Sequence, residues 1–197
     1  MSNRSSFLSW LAVLILIAGL GVVGLYEFSG PRVASDTSGM RPDALPGESL
    51  PATGQMAAPF TLKDLSGNKV SLSSFRGKVV FLNIWATWCG PCREEMPSIE
   101  SLYSHFKNTK NFVILGVSED TEGKAAVAPY ITRNGYHFRI LLDPENVVGE
   151  KYGVSGVPET FIIDQQGRIV AHHMGAYDWS RSDIRAALED LLASKAA

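Results

Sequence analysis

Cysteine is scarce in this 197-residue chain: there are two, Cys89 and Cys92, and they stand three positions apart. Two are too few for a small disulfide-stapled scaffold, and that spacing suggests chemistry rather than stapling. Zinc normally takes four ligands, and no second close Cys or His pair has suitable spacing, so a metal reading would begin with half a site. Positive charge is lacking too. With 18 Lys and Arg against 20 Asp and Glu, the net charge of -2 offers nucleic acid no electrostatic footprint. Internal repeats and low-complexity tracts are absent, and the length suits one ordinary domain with extra segments.

Long apolar runs are absent save one. From Phe7 to Tyr26 runs FLSWLAVLILIAGLGVVGLY, uncharged throughout and long enough, at about 1.5 Å per residue, to cross a hydrocarbon core of about 30 Å. The alternative is a cleaved secretory signal, whose apolar region spans about 7 to 15 residues before a small-residue cleavage site. This run is longer and no clear Ala-x-Ala site follows it, although Val33-Ala34-Ser35 keeps a cleavage option open. The expectation is a cytoplasmic N-terminus at 1–6 and a transmembrane helix at 7–26. Arg4 and the terminal amine before the span, against Glu27 and Arg32 after it, favour a fold on the extracytoplasmic side. Residues 27–56, rich in Ser, Pro, Gly and Asp, cannot bury enough surface to offset ordering and read as a tether.

The folded domain is expected at 57–197. PFTLKDLSGNKVSLSSF alternates apolar and polar residues around Ser66-Gly67-Asn68, a hairpin of two short strands. Lys78 to Trp85, KVVFLNIW, is nearly all apolar, as in a sheet covered on both faces, and predicts the central strand. Met96, Ile99, Leu102, Tyr103 and Phe106 recur every three or four residues and predict a helix with one apolar face, kinked at Pro97. Asn111 to Val117 is the next buried strand, so strand, helix and strand form a right-handed parallel crossover with the cysteines at its first junction. Short helices at 122–134 and 144–152 flank a strand at 137–142. Thr160 to Asp164 and RIVAHH form a hairpin across a Gln-Gln-Gly turn, and 180–194 closes the domain as a helix.

WATWCGPCREEMP places two thiols one turn apart at a helix start, where unpaired N–H groups and the helix dipole favour negative charge. Cys89 is expected to be the better thiolate: a free cysteine titrates near about 8.5, and such surroundings lower it to roughly 3.5 to 7.5. It would attack a substrate disulfide, and Cys92, deeper in the first turn, would resolve the mixed disulfide. Gly90 admits a tight backbone beside a docking substrate, Pro91 suits the first helical turn, and Trp88 offers an aromatic surface. The blander readings of the pair are a zinc half-site or two small buried apolar residues. Val157-Pro158 precedes the Thr160 strand, and a proline there can take the cis form. If that strand runs antiparallel to the central one, Pro158 shares the sheet edge that carries Cys89.

The hairpin near residue 60, GKVVFLNIWATWCGPCREEMP, the added segment around 118–150 and GVPETFIIDQQGRIV together resemble the membrane-anchored thioredoxin-like proteins of the TlpA, ResA and CcmG (DsbE) group, over roughly residues 57–195. The resemblance implies an α/β thioredoxin fold with an N-terminal β-hairpin and a central insertion, preceded by one transmembrane helix. It implies that Cys89 attacks and Cys92 resolves, so that the redox-active disulfide serves in place of a cofactor. Pro158 would be cis and face that disulfide. It further implies a reductase held at the bacterial cytoplasmic membrane with its catalytic domain in the periplasm. Its protein substrate would be an apocytochrome c or its haem-ligation machinery, and a membrane thiol carrier would supply electrons. Pro-Glu-Thr at 158–160 leans toward cytochrome c maturation, whereas GAYDW at 175–179 is similar to TlpA-type proteins of oxidase assembly.

Thioredoxin itself carries a buried aspartate six residues before its first cysteine; Asn83 stands there in this chain and cannot act as acid or base. Glu119, just after strand 111–117, would reach the cysteine edge, and ResA-like proteins carry a carboxylate at the matching place; the alternative is a solvated loop acid beside Asp120 and Glu122. Glu159 is open to the same two readings. His172, His173 and Met174 offer copper-type ligands, but adjacent residues of a strand point to opposite faces. His105 and His137 read as surface or boundary residues. A copper metallochaperone using the cysteines as soft ligands, or an oxidant that makes disulfides, are the competing functions.

Overall fold

The computed structural model describes residues 54–194. The expected transmembrane helix at 7–26 and nearly all of the tether lie outside them; among the described residues no helix is long and apolar enough to cross a membrane. Strands β1 (Thr61–Asp64) and β2 (Lys69–Ser71) form the expected hairpin. Asp64 Oδ1 closes its turn by accepting the N–H groups of Ser66 and Asn68, each at 2.9 Å.

Beyond the hairpin come β3 (Val79–Trp85), α1 (Gly90–Phe106), β4 (Phe112–Ser118), α2 (Lys124–Asn134), β5 (Arg139–Leu142), α3 (Val147–Tyr152), β6 (Glu159–Ile163), β7 (Ile169–Met174) and α4 (Ser182–Ala193). Each matches a predicted element to within a few residues. The strands make one seven-stranded sheet in the order β2-β1-β5-β4-β3-β6-β7. All seven residues of β3 are buried, as its apolar run requires. It lies parallel to β4 and antiparallel to β6. The hairpin is not separate: β1 pairs antiparallel with β5, a long-range pairing that local alternation could not reveal.

Alternation then sorts the side chains into two cores. On one face Val79, Phe81 and Trp85 pack with Met96, Ile99, Leu102 and Phe106 of α1, joined by Val127 and Ile131 of α2 and Ile184 and Leu188 of α4. On the other, Val80, Leu82, Ile84, Phe161 and Ile163 pack under Phe60, Leu72, Phe75 and Val148. The helix α1 continues through Pro97 to Phe106, so the expected kink does not end it.

The ordered pairing begins three residues before the expected boundary at Ala57. Gly54 N–H donates to the Ile169 carbonyl (2.8 Å), Ile169 N–H to Gln55 (2.9 Å), and Met56 bridges Arg168. These bonds are made by backbone alone, so Gly-Gln-Met carries no side-chain pattern to announce them.

Register fixes what meets at the reactive edge. Trp85 pairs with Ser118, Ile84 with Glu159, and Glu159 with Met174. Residues 86–92, Glu119-Asp120 and Val157-Pro158 therefore leave the sheet at one end.

Candidate active site

Cys89 is the N-cap of α1 and Cys92 lies in its first turn; their sulfurs are bonded at 2.06 Å. The Cys92 backbone N–H points at Cys89 Sγ from 3.1 Å. That donor and the N-terminal end of the helix dipole both favour negative charge at Cys89 Sγ over Cys92 Sγ. Cys89 is 5% exposed and Cys92 fully buried, so an incoming disulfide meets Cys89 first. Pro91 occupies the first helical turn as expected. At Gly90 a Cβ would meet nothing within 4 Å of this chain and φ is not positive, so the fold itself leaves that side of the turn open.

The turn before Cys89 is held from β4. Asp120, buried, accepts from the Thr87 N–H (2.9 Å), the Thr87 hydroxyl (2.5 Å) and the Ser118 hydroxyl (2.7 Å). Trp88 stands outside this lattice, 63% exposed beside the disulfide. Across the edge, the Val157-Pro158 peptide is cis, and the Val157 carbonyl oxygen lies 3.5 Å from Cys89 Sγ. Gly175 N–H donates to the Pro158 carbonyl at 2.8 Å, fixing the proline loop to the end of β7.

One turn along α1 from Cys92 lies a buried carboxyl that the sequence reading passed over. Glu95 is 3% exposed. Its Oε1 accepts from Asn83 Nδ2 (2.8 Å), and its Oε2 from the Trp179 indole N–H (3.0 Å) and the Tyr177 backbone N–H (3.2 Å). Asn83 Nδ2 also donates to Thr160 Oγ1 (3.0 Å), while Asn83 Oδ1 is buried with no partner among the described residues. Burial pushes the Glu95 carboxyl from 4.5 up to about 7, against the three donors that hold it down. Asn83, unable to titrate, thus holds a group that can. The signal was present: Glu95 is three residues after Cys92 and four before Ile99, a charged residue at a position on the apolar stripe.

Glu119 sits at the same edge on the opposite face of the sheet. It is half-buried, and its Oε1 has no hydrogen-bond partner among the described residues. Burial, then repulsion from Asp143 and Glu159, raises it above the usual carboxylate range. Glu159, directly after the cis-proline, is neither solvated nor free. Its Oε1 accepts the Ser155 N–H (3.0 Å) and its Oε2 lies 2.7 Å from His172 Nε2, in a pair that is 2% and 7% exposed. His172 stacks on Phe161 with ring centroids 4.2 Å apart. His173 turns to the other face against Tyr177 and Trp179. The two histidines are divided by the sheet, as strand geometry predicts, and no cluster of three or more metal-type ligands occurs among the described residues. His105 and His137 make exposed pairs with Glu189 and Glu100.

The AhpC/TSA family model matches residues 53–172, which take in both cysteines and the cis-proline. The thiol-disulfide oxidoreductase ResA of Bacillus subtilis is 39% identical over 117 residues, 59% of this chain and 64% of that protein. ResA of Geobacillus thermodenitrificans is 38% identical over 140 residues, 71% of this chain and 78% of that protein. Among solved structures, the thioredoxin domain of a thiol-disulfide oxidoreductase from Bacteroides vulgatus superposes with a TM-score of 0.62 at 33% identity, over 72% of this chain and 98% of that one. With a disulfide at the head of α1, a cis-proline against it and these relatives, the chain belongs to the AhpC/TSA family and, within it, to the TlpA/ResA/CcmG group of thioredoxin-like thiol-disulfide oxidoreductases.

Proposed function

We propose that this chain reduces disulfides of a protein partner on the extracytoplasmic side of a bacterial membrane, in the service of cytochrome c maturation. The observation that carries the reading is the Cys89–Cys92 disulfide at an open sheet edge, with the buried Glu95 carboxyl three residues along the same helix. The electrons are carried by the chain's own two sulfurs, Cys89 and Cys92. Cys89 thiolate attacks one sulfur of the partner's disulfide, forming a mixed disulfide and expelling the other sulfur as a thiolate that takes up a proton. Cys92 gives its proton to Glu95 and attacks Cys89 Sγ as a thiolate, and the second partner sulfur leaves as a thiolate that takes up a proton from Glu95 or solvent. The partner gains two electrons; the protein is left oxidised, the state of the structure.

Trp88 supplies the apolar surface on which the partner docks, and the Val157 carbonyl and Pro158 form the opposite wall. Glu119 is a second carboxyl available to the edge. Residues 7–26 hold the domain at the membrane, a reading supported by their length and by the position of Arg4. A membrane thiol carrier returns the electrons. An apocytochrome c or its haem-ligation machinery is the partner, a reading supported by Pro-Glu-Thr at 158–160. The test is the equilibrium potential of the Cys89–Cys92 pair in defined thiol buffers. A value near about -270 mV supports reduction, and one near about -120 mV overturns it in favour of disulfide formation.

A further inference from the structure

Trp179 lies beyond the residues matched by the family model, which end at 172. It is nevertheless 1% exposed and tightly seated. Its ring packs edge-on against Phe81 with centroids 4.9 Å apart, and touches Tyr177 at 5.1 Å and His173 at 5.6 Å. Its backbone N–H donates to Ser98 Oγ (3.0 Å), whose hydroxyl donates to the Glu95 carbonyl (2.7 Å), so the loop is strapped to α1. The indole N–H is thereby aimed at Glu95 Oε2.

The two oxygens of Glu95 have different kinds of partner. Oε2 faces an indole N–H and a backbone N–H, at 3.0 and 3.2 Å, and neither group can ever accept a hydrogen bond. A proton on Oε2 would be pressed against two fixed hydrogens. Oε1 faces the Asn83 amide, which can turn and present its partnerless Oδ1 as an acceptor. The Thr160 hydroxyl behind it can donate or accept.

We propose that Trp179 is a positioning residue for the exchange reaction: with the Tyr177 N–H it occupies Oε2 of Glu95 and confines the carboxyl's exchangeable proton to Oε1, the oxygen turned to Asn83. The inference rests on the proton-handling role given to Glu95 above. The other groups around this carboxyl are accounted for. Arg93, Glu94 and Asp178 are exposed, and Arg181 lies over the far Tyr177 ring. His173, on the same face, is held below its ordinary value by burial and then by His172.

The test follows Glu95 in the full-length protein by carbon-13 NMR of its carboxyl, alongside the pH dependence of mixed-disulfide resolution. Trp179→Phe keeps a ring and removes one donor to the charged form. The Glu95 midpoint and the rate profile should both move up by about one pH unit, a tenfold change in proton affinity. His173→Asn should leave both in place. In the unaltered protein the Trp179 indole N–H resonance should titrate with Glu95, which keeps the question open to measurement if the variant fails to fold. A constant indole resonance, or an unmoved midpoint in Trp179→Phe, overturns the inference. Glu95→Gln separates the two levels: if it keeps the wild-type rate profile, the role of Glu95 falls and the inference with it. If it flattens the profile while Trp179→Phe changes nothing, only the inference falls.

Discussion

At the edge where the disulfide sits, the two faces of the sheet bury carboxyl groups in opposite ways. On the α1 face, Glu95 has three donors converging on two oxygens, yet burial still raises it to about 7. On the α3 face, Glu119 is half-exposed, lacks a partner for Oε1 and is raised partly by its acidic neighbours. Beside it Glu159 is satisfied by Ser155 and His172. The difference teaches that hydrogen bonding and titration are separate properties. A carboxyl can be fully held and still poised near neutrality, provided the donors do not outweigh desolvation.

The largest effect that bears on this contrast lies between the two faces. Cys89→Ser should abolish exchange, and Cys92→Ser should trap a partner on Cys89, readable as a mixed disulfide on a non-reducing gel; absence of any adduct would count against exchange altogether. Next comes Glu95→Gln, which should slow resolution by roughly a hundredfold above pH 7, the usual scale for one acid-base group. Its stability has a definite sign. A carboxyl raised from 4.5 to about 7 on folding favours the fold fully below about pH 4.5 and loses that contribution as pH rises through about 7. Urea melts should therefore show Glu95→Gln gaining on wild type across that window, by roughly 3 kcal/mol.

On the other face, His172→Ala strands the buried Glu159 Oε2 and should cost roughly 3 kcal/mol in the same melts. A loss under about 1 kcal/mol would put the pair on a footing with surface ion pairs. The smallest effect is Glu119→Gln. Removing a repelled carboxylate should add about 0.5 kcal/mol or less above neutral pH, fading as pH falls, and leave the exchange rate nearly unchanged. A rate defect matching that of Glu95→Gln would move proton handling to the α3 face and erase the contrast.

Most strands and helices were legible because their signals are local. KVVFLNIW announces a doubly covered strand, and Met96, Ile99, Leu102 and Phe106 announce a helix face. The reactive edge followed from direction alone: parallel β3 and β4, with β6 antiparallel, bring Cys89, Glu119 and Pro158 to one end. What stayed hidden needs register or distant loops. Glu159 and His172 meet only because Phe161 pairs with His172, leaving Glu159 two residues along on the same face. Trp179 reaches Glu95 across 84 residues, and no period in the sequence records that. Glu95 itself sits in a run, Arg-Glu-Glu, that looks like an ordinary solvated helix flank unless its place on the stripe is counted.

The backbone bonds of residues 54–57 to 167–169 join the sheet at the start of β7, the end remote from the disulfide. A pull applied through the N-terminal side of the chain would enter the domain there and be carried as shear through β7 and β6 toward β3. The turn that carries Cys89 lies at the opposite end of the sheet from that point of entry.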